Sequence, residues 1–175
     1  MILLDTNALI WWLSDFKRLS KRAIKMIETA ELAHFSAASV FEIEIKRQRL
    51  KKLPNDVVEA FVNQGFTELP ISAADASSVR AVGMNRHDPF DQLLLAQAKN
   101  RGLTFITADS MILERGFDFV TKIDVDAGGA RVAHRNRKIR NTKLKAELGI
   151  TLRYPTFRDG EVAIEATEAA IEAPN

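Results

Sequence analysis

The chain has 175 residues, of which 46% are hydrophobic and 27% charged, with a formal net charge of +2 and no cysteine. That length suits one domain with at most an appendage, and the apolar content is sufficient for a sizeable core. The lack of cysteine excludes disulfides, thiolate metal sites and cysteine nucleophiles, and it fits a reducing compartment.

The opening "MILLDTNALIWWL" is apolar but lacks a basic leader and carries Asp5 and Asn7, so it reads as a strand and turn rather than a signal peptide. No run approaches the length of a membrane span, which predicts a soluble, cytoplasmic protein with no membrane partner. Ile2, Leu3 and Leu4 form a buried strand that ends at Asp5, and Thr6 or Asn7 starts a helix over residues 8–13. "LSKRAIKMIETAE" sets Leu19, Ala23, Ile24 and Ile27 on one face of an amphipathic helix. "AHFSA" is a short strand, and "SVFEIEIKRQRL" a helix in which Ser39 and Glu42 have capping-box spacing. "NDVVEAFVNQG" is a helix stopped by Gly65, and "FTELPI" a strand. "SAADASSVRAVG" is a helix with a second capping-box pair, Ser72 and Asp75. In "HDPFDQLLLAQA" Asp88 caps, Pro89 takes the first helical position, and Leu94, Leu95 and Ala98 form the apolar face; Gly102 ends the helix. "LTFIT" is a strand followed by Asp109, "SMILERG" a short helix, and "FDFV" a last strand. Strands alternating with helices predict an α/β fold, a mostly parallel sheet flanked on both faces by helices.

Charge is unevenly spread. Residues 1–126 hold 16 Lys+Arg and 17 Asp+Glu, while residues 127–175 hold 9 and 6. The near-neutral first part gives no strong electrostatic argument for nucleic acid. Its two basic runs, 17–25 and 46–52, read either as solvated helix faces or as binding surface. Composition changes after about residue 126, which divides the chain into a domain over 1–126 and an extension over 127–175. The extension starts basic and ends in the acidic, low-complexity "EVAIEATEAAIEAPN", read as a frayed helix or a disordered end.

The positions of the acids carry the chemistry. Asp5 ends the first strand, Glu42 is expected in the first turn of the helix after "AHFSA", Asp91 in the first turn of the helix after "MNRH", and Asp109 just after "LTFIT". Each has a structural reading, because acids at helix N-termini cap and complement the macrodipole. In a parallel sheet, however, strand C-termini and the following helix N-termini share one edge, where ligands bind. Two unit charges at ~4 Å repel by about 4 kcal/mol at an effective dielectric near 20, so converging carboxylates raise each other's pKa or need a cation. Oxygen ligands without His or Cys favour Mg²⁺ or Mn²⁺, and such a site suits metal-assisted phosphodiester hydrolysis.

"LLDTNALIWWL", "SAASVFEIEIK", "HDPFDQLLLAQA" and "TFITAD" occur in that order, and together they resemble the PIN-domain family, in particular its VapC-type toxins. The resemblance covers about residues 1–125 and implies a PIN-like three-layer sandwich. It also implies a Mg²⁺- or Mn²⁺-dependent ribonuclease whose four acids match Asp5, Glu42, Asp91 and Asp109. Asp5, Asp91 and Asp109 would hold one or two ions, and Glu42 would complete their shell or take a proton from the attacking water. Asn7 and Thr107 match polar residues beside that site. His87 either touches RNA, helps proton transfer or meets only solvent. Lys46, Arg47 and Arg49 would line an RNA path.

The resemblance further implies a cognate VapB-type antitoxin whose C-terminal segment packs over the toxin and reaches the acids. It implies a homodimer as well, with Trp11, Trp12 and Phe16 either on that surface or in the core. Two other readings stay open: a catalytically silent PIN-like module that binds RNA or protein, and an RNA-processing PIN nuclease outside a toxin system. The segment "RNTKLKAELGITLRYPTFRDG" resembles the closing segment of extended short-chain dehydrogenase/epimerase proteins. The Gly-rich dinucleotide turn and the catalytic Tyr-Lys pair of those enzymes are missing, which excludes dehydrogenase activity. The extension is then a fusion or read-through remnant, or a basic addition that contacts RNA.

Overall fold

In the computed structural model, which describes residues 1–50, 52–84 and 88–125, the strand Ile2–Leu4 (β1) lies at the middle of the molecule, buried along its length. An uninterrupted apolar run of this kind suits a strand covered on both faces. It is flanked by the parallel strands Ala33–Ser36 (β2) and Thr104–Thr107 (β4). Thr67–Leu69 (β3) and Val120–Lys122 (β5) form the edges, giving a five-stranded, all-parallel sheet of order β3-β2-β1-β4-β5. The predicted last strand is displaced: "FDF" precedes β5, which starts only at Val120, where the chain comes into register with Phe105.

The helices are Thr6–Ser14 (α1), Lys21–Thr29 (α2), Ala37–Lys46 (α3), Val57–Gln64 (α4), Ala73–Ser78 (α5), Pro89–Arg101 (α6) and Ser110–Leu113 (α7). Side chains alternate across the sheet and split the core in two. Leu4, Phe35 and Ile106 pack on one face with Leu9, Ile24 and Phe61 from α1, α2 and α4. Leu3 and Phe105 pack on the other with Leu94 and Leu95 of α6 and Ile112 of α7. Trp12 belongs to the first core, edge-on to Phe16 and Phe66, and is only 4% exposed.

Local chemistry sets the helix ends. Asp88 caps α6 by accepting from the amide of Phe90 at 2.9 Å, with Pro89 in the first position, and α6 ends at Gly102 in the left-handed conformation. The Ser72–Asp75 capping box forms as predicted, although α5 is shorter than its sequence pattern and passes into a 3-10 turn over Val79–Val82. The Ser39–Glu42 box does not form. Ser36 caps α3 instead, accepting from the amide of Ala38 at 2.9 Å, so Ser39 lies inside the helix and Glu42 in its second turn. Helix α1 likewise starts earlier than expected, because Asp5 is itself the cap. No helix among the described residues is long and apolar enough to cross a membrane.

Candidate active site

Strand order reverses direction of winding between β1 and β4, the place where open α/β sheets leave a crevice at their C-terminal edge. Asp5 and Asp109 leave these two neighbouring strands, and each caps the helix that follows. Asp5 is 3% exposed and held from two sides. The backbone amide of Asn7 donates to its Oδ1 at 3.2 Å and the Thr107 hydroxyl to its Oδ2 at 2.6 Å. The Thr107 oxygen in turn accepts from the Asp109 amide at 3.0 Å, and Asp109 Oδ1 accepts from Met111 at 2.7 Å. Two acids and a threonine thus form one chain of hydrogen bonds across the switch point.

Glu42 reaches the same edge from α3. It is 7% exposed; its Oε1 accepts from the Lys46 ammonium one turn on, while Oε2 is buried without a hydrogen-bond partner. A carboxylate oxygen left alone in the interior is costly, and it marks a place where a ligand would be welcome. Asp91 enters from the first turn of α6. Burial raises its pKa first of all, followed by the charges of Asp5, Asp88, Glu42 and Asp109, and together they push it up to about 7. Burial likewise raises Asp5 against its two hydrogen bonds, with help from Glu42 and Asp109. All four predicted acids therefore act on one another electrostatically although they come from four separate parts of the chain. They share a field without closing into a cage: among the described residues no three His, Cys, Asp or Glu side chains are grouped as a metal-ligand set.

The other predicted residues divide. Thr107 is buried at the heart of the site. Asn7 contributes its backbone amide, and the residue itself is exposed. Lys46 is turned to Glu42, whereas Arg49 is exposed on the 3-10 turn Arg47–Arg49. Arg47 is engaged with Glu44 and with the carbonyls of Pro54 and Asn55. His87 and the extension from residue 126 lie outside the described residues.

Sequence reasoning missed two buried bridges. The Thr6 hydroxyl donates to Ser39 Oγ at 3.1 Å, tying the helix that follows Asp5 to the helix that carries Glu42. Ser36 Oγ donates to Gln97 Oε1 at 2.5 Å, tying the start of α3 to α6. A signal for the second was present, since Gln97 is the lone polar residue inside the apolar run "LLLAQA".

The fold and its acidic rim define an α/β domain with a carboxylate site at the switch point of the sheet. A profile described as the PIN domain matches residues 2–118, well over half of the sequence, and the chain belongs to that family. A solved toxin-antitoxin complex from Klebsiella pneumoniae matches with a TM-score of 0.50 at 20% identity, covering 69% of this chain and 96% of that one. VapBC2 from Rickettsia felis, bound to a DNA fragment from its promoter, matches with a TM-score of 0.52 at 14% identity, covering 72% and 100%. At these identities the likeness is one of fold. Comparison with curated proteins gives no match.

Proposed function

We propose that the protein is a metal-dependent endoribonuclease, the toxin of a type II toxin–antitoxin pair, and that Asp5, Glu42, Asp91 and Asp109 are its catalytic and metal-binding residues. One observation carries the reading: four acids from distant segments share the C-terminal edge of the sheet, and their crowding raises Asp91 to about 7. A structural cap gains nothing from such crowding, whereas a cation site does.

The residues fit a hard divalent ion, Mg²⁺ or Mn²⁺. The donors are all carboxylate oxygens, and Glu42 Oε2 is buried with no partner. When bound, the ion supplies an activated water and neutralises charge developing on the phosphate. The chain does the rest. Thr107 and the Asn7 amide fix the orientation of Asp5. Asp91, poised near neutrality, can hold or release a proton at its carboxylate. Arg49, exposed beyond α3, offers a phosphate contact to the RNA.

The partner we infer is a cognate VapB-type antitoxin, in keeping with the toxin–antitoxin complexes that share the fold. Homodimerisation and a cytoplasmic location belong to the same reading. Residues 1–126 carry the activity, and removal of 127–175 leaves both cleavage and antitoxin binding intact. The test is cleavage of a panel of structured RNAs by the purified protein in Mg²⁺, Mn²⁺ or EDTA, beside Asp5→Ala. Metal-dependent cleavage that the substitution abolishes supports the reading; a folded protein that cleaves nothing under any condition points to a silent RNA- or protein-binding module.

A further inference from the structure

The nuclease reading leaves Lys46 as one basic residue among several on an RNA path, yet its position is different from theirs. It sits one turn after Glu42 on α3, with its ammonium on Glu42 Oε1. Its side chain is half-exposed, at 47%, while that of Glu42 is 9% exposed, so the pair points from the surface into the acidic edge. The ammonium also lies within the electrostatic reach of Asp88 and Asp91. Arg47, the next residue, turns the other way, to Glu44 and two backbone carbonyls.

An exposed lysine four residues after a glutamate is ordinarily a weak surface pair. Here the acid is buried and has a second oxygen without a partner. Three further carboxylates act around it, so the lysine is the cation that the cluster carries within its own chain. A fixed positive charge at Glu42 repels a metal ion placed beside the same carboxylate. It leaves the Asp5, Asp91 and Asp109 side of the cluster as the place for one.

We propose that Lys46 is a built-in counter-cation that takes the place of a second metal ion, so that the site binds a single divalent cation. This inference rests on the metal-dependent reading above. In it, Lys46 is a positioning residue: it holds Glu42 and sets the charge of the site.

Calorimetric titration of the full chain with Mn²⁺, without RNA, tests this separately from activity. The native protein is expected to bind one ion. Lys46→Met, which keeps the stem and removes the charge, is expected to bind two, or to bind the first about tenfold more tightly. Lys46→Arg is expected to retain the native titration. Thermal melting in EDTA checks that each variant is folded, and Lys46→Gln replaces Lys46→Met if the latter is not. Two ions on the native protein overturn the inference, as does a neutral variant that titrates like the native chain. A Lys46→Arg protein that titrates like Lys46→Met also overturns it, because charge would then not be the cause. No Mn²⁺ binding by the native and neutral proteins alike overturns the metal-dependent reading itself.

Discussion

The Thr107 hydroxyl donates to Asp5 Oδ2 at 2.6 Å, joining two residues 102 positions apart at the ends of adjacent strands. The same oxygen accepts from the Asp109 amide, so one threonine orients one acid by its proton and the next by its lone pair. Thr107→Val keeps the shape and removes both bonds. Leaving a buried carboxylate short of a donor costs about 1–3 kcal/mol. Losing the group that aims a metal-binding carboxylate costs roughly 10–100-fold in metal affinity or rate. The expected result is a lower urea midpoint with a larger fall in RNA cleavage, and recovery of both in Thr107→Ser. Full activity in Thr107→Val would detach Thr107 from the site.

Asp91 makes the stability of the metal-free protein depend on pH in an unusual direction. Its pKa is raised from 3.8 to about 7, so between those values the folded chain binds more protons than the unfolded one. Stability therefore falls as pH rises through that window, and the penalty is fully present above about 7. Asp5, raised in the same direction, adds to it. Asp91→Asn removes the ionisation, and its melting temperature in EDTA is expected to exceed the native value at pH 8 but not at pH 4. Because Asp91 is partly exposed, solvent screening reduces the gain to on the order of 1 kcal/mol. Mn²⁺ is expected to stabilise the native protein far more at pH 8 than at pH 4. Equal melting of native and Asp91→Asn proteins at both pH values would show that the carboxylates do not crowd one another.

Much of this site is legible in the linear sequence because acids stand out where apolar strands end. Asp5 after "ILL" and Asp109 two residues after "TFIT" need only the alternation of strand and helix to be placed on one edge. Asp88 and Pro89 announce the start of α6 through their own chemistry. The start of α3 is different. Ser36 and Ser39 are both competent caps, and the alanines between them carry no amphipathic signal. Pairing of Ser36 with Leu69 of β3 fixes where the strand stops, and hence which serine caps. That choice rests on a contact between distant segments, as does the Thr107–Asp5 bond. The turn of Lys46 toward Glu42 rather than solvent is a matter of rotamer, decided by the field of acids that only the folded chain assembles.

The other end of α6 offers a control that separates the fold from the site. Asp75 is 1% exposed and accepts from Ser72, from Asn100 at 3.2 Å and from Arg101 at 2.8 Å, clamping α5 to the last turn of α6. Burial raises its pKa, but the bonds from Ser72 and Asn100 and the charge of Arg101 outweigh it and hold the carboxyl below its ordinary value. A depressed acid stabilises the fold above its unfolded pKa, and that contribution is lost as pH falls through the folded one. Asp75→Ala removes the capping box and strands the Arg101 guanidinium, at a cost of about 2–4 kcal/mol. The native protein's advantage over Asp75→Ala in urea is thus expected to be large at pH 7 and to shrink at pH 3. Asp91 lies ten residues from Arg101, about 15 Å along the helix. Cleavage per folded molecule at low temperature is therefore expected to be unchanged in Asp75→Ala. A fall in that specific rate, with the protein still folded, would mean that the clamp at the end of α6 also aims Asp91 at its start.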